Sequence, residues 1–97
     1  MYARVVTVQA QAGKLDEITK LYRESIVPAA KQQKGFRGAT LFTDRANDKG
    51  ISVTRWETEA DLQAGEASGG YYQEQIAKIA PMLSAPPVRE TYEISVD

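Results

Sequence analysis

The segment from Gly35 to Glu57 constrains the fold most, because it predicts two neighbouring β-strands joined by a polar turn. Residues 39–43 and 51–57 are rich in β-branched and aromatic side chains, which favour strands. The residues between them include Asp, Asn and Gly, which are typical of turns. This connection is longer than a two-residue loop, so the sequence alone leaves the turn type open.

Both faces of the predicted hairpin carry apolar side chains, unlike the solvent side of a one-sided sheet. Alternation along the second strand gives two sets of residues, which are Ile51, Val53 and Arg55 on one face and Ser52, Thr54 and Trp56 on the other. One face has to cover the core, and the face with mixed polar and aromatic residues suits a ligand cavity or a partner subunit. We expect large groups such as Trp56 and Phe42 on the face without helices.

The first part of the chain predicts a strand followed by a helix. Residues 2–10 alternate as a first strand, and the helix begins at Leu15. Pro28 is expected to kink this helix or end its regular part, and Gly35 to stop the segment. The apolar face of the helix is predicted to consist of Leu15, Ile18, Tyr22, Ile26 and Ala29.

The last part of the chain predicts a second helical region and a final strand. Thr58 and Asp61 have the spacing of an N-terminal capping motif. The helical pattern stalls at residues 67–70, resumes over residues 71–83, and gives way to a strand over residues 88–96. The order β-α-β-β-α-β predicts a ferredoxin-like α+β fold, with a four-stranded antiparallel sheet and both helices on one face. Because the other face then lacks cover, we expect a homodimer joined sheet to sheet.

The composition limits the classes of function. With 97 residues the chain is expected to form one domain over residues 1–97, and a net charge of −1 with scattered basic residues gives no reason to expect nucleic acid. No run approaches the roughly 18 apolar residues of a membrane helix, and the first residues lead directly into strand-like sequence rather than a signal peptide. We therefore expect a cytoplasmic protein with no membrane partner.

The chain contains neither cysteine nor histidine. This excludes disulfides, thiolate nucleophiles and thiolate metal sites, and it removes the commonest general base and haem ligand. Catalysis would have to use carboxylates, Tyr, Lys, Arg, Trp or the chemistry of the substrate itself. We expect no metal, flavin or haem cofactor.

Several short motifs in order resemble the antibiotic biosynthesis monooxygenase (ABM) domain of the dimeric α/β-barrel superfamily. They are Gly-Phe-Arg-Gly at 35–38, Trp-Glu-Thr at 56–58, Ala-Pro-Met-Leu at 80–83, Pro-Pro-Val at 86–88 and Tyr-Glu at 92–93. The resemblance implies a homodimeric barrel with a cavity between helices and sheet in each subunit. Some members oxygenate aromatic polyketides or quinols without metal or flavin, and others degrade haem with a His ligand.

The chain departs from the family pattern at Gly65, nine residues after Trp56, where many relatives have a His. Haem degradation by the His-dependent route is therefore not expected. The resemblance leaves three hypotheses from different classes. They are a cofactor-independent monooxygenase (an oxidoreductase) acting on a small aromatic or quinol compound, a non-catalytic dimeric module that binds a small hydrophobic molecule, and a purely structural dimer.

The candidate site residues follow from the strand faces, the aromatic positions and the resemblance. The candidate catalytic residues are Trp56, Arg4 and Arg55, and the candidate substrate-binding residues are Tyr22, Phe36, Phe42, Tyr71 and Tyr72. An arginine could hold a substrate oxyanion, which cofactor-free oxygenation needs. Each has an ordinary alternative as well: Trp56, Phe36 and Tyr72 as core residues, and the arginines as cross-strand partners of Glu57, Glu90 or Glu93.

Overall fold

The computed structural model describes residues 1–67 and 70–97, which form a four-stranded antiparallel sheet with helices on one face. The strands are β1 (Tyr2–Gln9), β2 (Phe36–Asp44), β3 (Lys49–Trp56) and β4 (Val88–Glu93). Their spatial order is β2-β3-β1-β4, and every neighbouring pair is antiparallel. The predicted ferredoxin-like fold is therefore confirmed. The final strand is shorter than predicted, since it ends at Glu93.

The first helical region does not end at Pro28. It consists of α1 (Leu15–Leu21), a π-helical turn (Tyr22–Ile26) and α2 (Val27–Lys31). In the π turn the Val27 amide donates to the Tyr22 carbonyl, five residues earlier. Pro28 has no amide hydrogen and would crowd a carbonyl in a regular helix, so the wider turn before it allows the chain to remain helical. The turn also shifts the helix phase, so Ala30 is buried and Ala29 only half-buried.

The predicted hairpin is confirmed, and its turn is now defined. A single 3₁₀ turn, Arg45–Asn47, follows β2, and Asp48 then adopts the left-handed conformation with φ of 51°. Aspartate tolerates this region better than most residues, because its side chain makes local hydrogen bonds. The side chain of Asn47 also donates to the carboxylate of Asp44 over 2.8 Å.

The second helical region is divided into α3 (Glu59–Ala64) and α4 (Tyr71–Ile79). The predicted cap is present, since the Asp61 amide donates to Thr58 Oγ1 over 3.1 Å. The predicted break is confirmed as a separation of the two helices, although Ser68 and Gly69 themselves lie outside the described residues. Within residues 1–67 and 70–97, no helix has the length and apolar character needed to cross a membrane.

The sheet register corrects the predicted position of Trp56. Trp56 pairs with Tyr2, two residues from Arg4, and its side chain is fully buried on the helix-covered face. Phe42 pairs with Ile51 on the opposite face, where 56% of its surface is exposed. Strand alternation separates two sets of residues correctly, but it does not indicate which set the helices cover. The expectation that Trp56 lies on the face without helices is therefore wrong.

The space between helices and sheet divides into two regions. At one end a packed aliphatic core is formed by Val6, Val8, Ala10, Leu15, Ile18, Ile79 and Leu83. Toward the other end, beyond Val6 on β1, the side chains include Arg4, Trp56 and Tyr71. The buried polar side chain of Arg4 thus lies next to the aliphatic core, on the helix-covered face of β1.

Candidate functional site

A cavity of about 60 Å³ lies between the sheet and the helices, where the aliphatic core meets the polar region. Aliphatic side chains from β1, β2, α1, α4 and the π turn form most of its wall. Its polar lining includes Arg4, Tyr22, Ser52, Tyr71, Tyr72 and Gln75. An apolar pocket with a few converging polar groups is the usual form of a small-molecule site.

The cavity is smaller than the ring systems that such a site would hold. Its 60 Å³ is below the roughly 150 Å³ of an engineered cavity that admits benzene. Tyr72 and Ile76 are only partly buried in its wall, so their side chains can move without opening the core. A ring-containing ligand would therefore have to displace lining side chains, because the existing cavity is too small to hold it.

Arg4 is the central polar residue of the site. Its side chain is only 2% exposed, and it projects from the inner strand β1 toward α3 and α4. Nε donates to Glu66 Oε2 over 2.7 Å, Nη1 to the Tyr71 hydroxyl over 2.8 Å, and Nη2 to the Leu62 carbonyl over 2.7 Å. The Leu62 carbonyl belongs to the last turn of α3, where helix carbonyls lack intrahelical partners. The buried charge is thus paired and hydrogen-bonded.

Aromatic rings surround the Arg4 guanidinium. Its Cζ atom lies 4.9 Å from the ring centroid of Tyr72, 5.4 Å from that of Trp56 and 5.7 Å from that of Tyr71. Arg89 approaches the same Tyr72 ring, with its Cζ at 5.1 Å, and its Nε lies 3.8 Å from Glu66. Cation–π attraction is strongest where the cation is desolvated, so these rings hold Arg4 in one position.

Trp56 lies behind Arg4 and is not part of the cavity wall. Its indole Nε1 donates to Thr54 Oγ1 over 3.0 Å, and its ring makes an edge contact with Phe36 at a centroid distance of 5.5 Å. Its ring also lies 5.8 Å from that of Tyr71. Trp56 therefore supports Arg4 and Tyr71 in the cavity wall, and Phe36 packs behind Trp56.

Burial raises the pKa of the Tyr22, Tyr71 and Tyr72 hydroxyls above the ordinary value of 10.0. For Tyr71 the positive charge of Arg4 and its hydrogen bond oppose this effect without cancelling it. The Tyr22 hydroxyl lies 2.9 Å from Ser52 Oγ. All three phenols are therefore protonated at neutral pH and can donate hydrogen bonds to a ligand.

The candidate residues from the sequence separate into three groups. Arg4, Tyr22, Tyr71 and Tyr72 line the cavity together. Trp56 and Phe36 lie behind it. Phe42 and Arg55 belong to the uncovered face of the sheet, since they alternate with the cavity-facing Leu41 and Thr54, and they do not line this cavity. The carboxylate that pairs with Arg4 is Glu66 and not Glu57, Glu90 or Glu93.

The sequence analysis did not identify several polar residues of the site, among them Thr54, Ser52, Gln75 and Glu66. Ser52 shares a strand face with Thr54 and Trp56, and that alternation could have indicated it. Gln75 falls on the buried face of α4, between the apolar Tyr72 and Ile79, where a polar residue is unusual. Glu66 follows α3 in an irregular segment, and no local pattern marks it.

Gly65 allows Tyr71 to occupy its position. A Cβ atom at residue 65 would lie 2.8 Å from Cδ1 of the Tyr71 ring, which is closer than carbon atoms approach. A histidine at this position would therefore displace Tyr71 and its contact with Arg4. In the described part of the chain, no group of three or more acidic, histidine or cysteine side chains is arranged to bind a metal.

Comparison with known families agrees with this architecture. The family model for antibiotic biosynthesis monooxygenase matches residues 1–74. The chain belongs to the ABM family. This confirms the resemblance inferred from the motifs, over a stretch that includes all the cavity-lining tyrosines and Arg4.

Relatives of this ABM protein include two solved oxygenases and a longer mycobacterial protein. The cofactor-independent oxygenase SnoaB from Streptomyces nogalater aligns with a TM-score of 0.81 at 13% identity, covering 99% of this chain and 94% of SnoaB. The monooxygenase ActVA-Orf6 of Streptomyces coelicolor, solved with nanaomycin D, aligns with a TM-score of 0.79 at 17% identity, covering 94% and 84%. The uncharacterized protein Rv2557 of Mycobacterium tuberculosis is 30% identical over 99 residues. This chain spans 41% of the length of that relative, and 98% of its own length is matched.

Proposed function

We propose that this ABM protein is a cofactor-independent monooxygenase acting on a small aromatic or quinol substrate. The observation that carries the proposal is the arrangement of Arg4 and Tyr71, two hydrogen-bonded donors in the polar lining of an otherwise apolar cavity. An aromatic ring fits the aliphatic wall, and its phenolic oxygen fits the donors. The oxygenase neighbours SnoaB and ActVA-Orf6 share the fold, which supports the same class of reaction.

The chemistry requires an electron-rich substrate anion that reacts with O₂ directly. In an anthrone-type substrate, a ring CH₂ group becomes a carbonyl, one oxygen atom of O₂ enters the product, and the other leaves as water. The protein's part is to bind the ring, exclude bulk water and stabilise the oxyanion by hydrogen bonds. Because Glu66 already balances the charge of Arg4, the Tyr71 hydroxyl hydrogen is the donor best placed to act.

The test is oxygen uptake by chelator-treated protein against a panel of anthrones and hydroquinones. The rate is expected to rise with pH through ionisation of the substrate phenol, with no decline from the protein below about pH 10, because burial raises the pKa of Tyr71. Tyr71→Phe should lower turnover about 100-fold, the usual effect of losing one oxyanion donor. Tyr92→Phe is the control, since it removes a hydroxyl outside the cavity and keeps the aromatic ring on the uncovered face of the sheet. Activity that is lost with chelator and restored by iron would contradict the proposal.

A non-catalytic binding module is the second candidate. It is favoured by the neutralised charge of Arg4 and by the absence of histidine, which leaves the site without the commonest general base. The oxygen-uptake panel distinguishes the two candidates when it is combined with direct binding measurements. Tight binding of an aromatic ligand, with no oxygen consumed for any substrate, would favour the binding module.

We also propose that the protein forms a homodimer through the uncovered face of its sheet. This face carries three exposed apolar side chains, Phe42, Val88 and Tyr92, which are 56%, 57% and 50% exposed. It also carries Arg55 on β3 and Glu90 on β4, with β1 between them. Opposite charges on one face can pair with each other across a two-fold axis, so a second copy of the chain complements this surface.

Sedimentation at micromolar concentration is expected to give twice the chain mass of 10.7 kDa. Val53→Lys places a charge near the centre of the uncovered face and should shift the protein to the monomer, because a lysine there cannot be desolvated without a partner. Gln63→Lys introduces the same side chain on the exposed surface of α3 and should leave the dimer intact. A monomeric wild-type protein under these conditions would refute the dimer.

A further inference from the structure

Gln75 is a buried polar residue whose role the cavity lining alone does not explain. Its side chain is 7% exposed, and it lies on α4 with its surface toward the cavity. We propose that Gln75 is a specificity residue, whose amide Nε2 donates a hydrogen bond to an acceptor oxygen on the bound ring. This inference rests on the proposed function, since it concerns the same cavity and the same class of ligand.

The orientation of the Gln75 amide follows from a chain of hydrogen bonds that begins at Lys78. The ammonium group of Lys78 can only donate, and its Nζ lies 2.7 Å from Ser25 Oγ. Ser25 Oγ therefore accepts this hydrogen bond, and its own hydroxyl hydrogen can be donated to another acceptor. It donates that hydrogen to Gln75 Oε1 over 3.0 Å. The carbonyl end of the amide is thus fixed toward Ser25 on the π turn, between the two helices.

The other end of the same amide carries two N–H donors. Among residues 1–67 and 70–97, Gln75 Nε2 donates no hydrogen bond. In that same part of the chain, no side-chain polar atom is both sealed from solvent and without a partner. Nε2 therefore retains access, and because Gln75 lines the cavity we infer that Nε2 faces it. The site offers a donor here, held by groups that lie outside the cavity.

The positions of the donors describe the ligand. Gln75 lies four residues after Tyr71, so the two residues share a face of α4 and are about 6 Å apart along its axis. Two donors that extend from one face of α4 into one cavity can bond two acceptor oxygens of the same ring. Donors at both places favour a ring with two acceptor oxygens over a plain hydrocarbon ring. A ligand hydroxyl directed at Gln75 Nε2 would have to accept the hydrogen bond through an oxygen lone pair, because Nε2 can only donate.

The test compares binding of 1,4-naphthoquinone, which has two acceptor oxygens, with binding of naphthalene, which has none. Calorimetric titration of the wild type is expected to show about 100-fold tighter binding of the quinone, about tenfold for each of its two hydrogen bonds in a buried site. Gln75→Leu should lower this preference to about tenfold by weakening quinone binding, while naphthalene binding changes less than twofold. Gln63→Leu, the same substitution at an exposed position of α3, should retain the wild-type preference.

Ser25→Ala tests the orientation separately from the residue. It leaves Gln75 in place but removes the donor that holds Oε1, so the amide can reverse and the quinone preference should fall about threefold. Melting temperatures would verify that each variant is folded. A quinone preference that is unchanged in Gln75→Leu, or that is absent from the wild type while both compounds bind, would overturn the inference without affecting the oxygenase proposal. Failure of both compounds to bind would overturn both.

Discussion

Replacing Arg4 by glutamine is expected to lower the free energy of unfolding by about 3–5 kcal/mol, the usual cost of removing one partner from a buried ion pair. Glu66 would keep a charge that is only 15% exposed, and the Leu62 carbonyl would lose its donor. The Tyr71 hydroxyl would also lose its contact with the guanidinium. The same substitution should abolish binding of ring ligands, because the polar lining of the cavity would lose its shape.

Urea unfolding at neutral pH measures this effect. Arg23→Gln is the matched control, since Arg23 is exposed on the π turn and its substitution should change stability by less than about 0.5 kcal/mol. The double variant Arg4→Gln/Glu66→Gln should recover part of the loss, because it removes the unpaired carboxylate as well. A loss below about 1 kcal/mol for Arg4→Gln would show that the ion pair is solvated rather than buried.

Trp56→Ala should destabilise the fold by about 3–5 kcal/mol, in the range for truncating a fully buried large aromatic residue. The substitution would leave a cavity beside Phe36 and Tyr71 and remove a wall of the Arg4 site. Trp56→Phe should reduce stability less, because the smaller ring keeps most of the aromatic contacts. It loses the hydrogen bond from the indole to Thr54.

Thermal and urea unfolding of the two Trp56 variants would measure the difference. Domains of this size are stable by about 5–15 kcal/mol, so Trp56→Ala should remove a large share of the stability and lower the melting temperature by many degrees. Loss of activity in that variant would therefore report folding rather than chemistry. A Trp56→Ala protein that melts at the wild-type temperature would contradict the buried position, and it would return Trp56 to the cavity wall.

The element order was predictable from sequence because each signal was local. Alternating residues indicated the strands, and the spacing of Thr58 and Asp61 indicated the start of α3. The π turn was not predictable, since it is a response of the helix to Pro28 while α1 and α2 remain packed on the sheet. One change in helix phase was enough to exchange the burial of Ala29 and Ala30.

The site was predictable only in part, because its contacts join distant parts of the chain. Arg4 and the tyrosines could be identified by residue type and by the family resemblance. Glu66 could not, since it lies 62 residues from Arg4 and follows no local pattern. The sheet face of Phe42 and Arg55 could not be predicted, for a different reason. The alternation of a strand is symmetric, and only the packing of the helices distinguishes the faces.

The sequence separations at Arg4 have a consequence for the order of folding during synthesis. Arg4 bonds to Leu62, Glu66 and Tyr71, which follow it by 58, 62 and 67 residues. The β2–β3 hairpin can form from a short length of nascent chain, but β1 receives its second neighbour, β4, only after residues 88–93 have emerged. The guanidinium therefore remains in water until Leu62, Glu66 and Tyr71 have emerged. Such long-range closure slows folding, so the central strand stays exposed to mispairing for longer than the hairpin does.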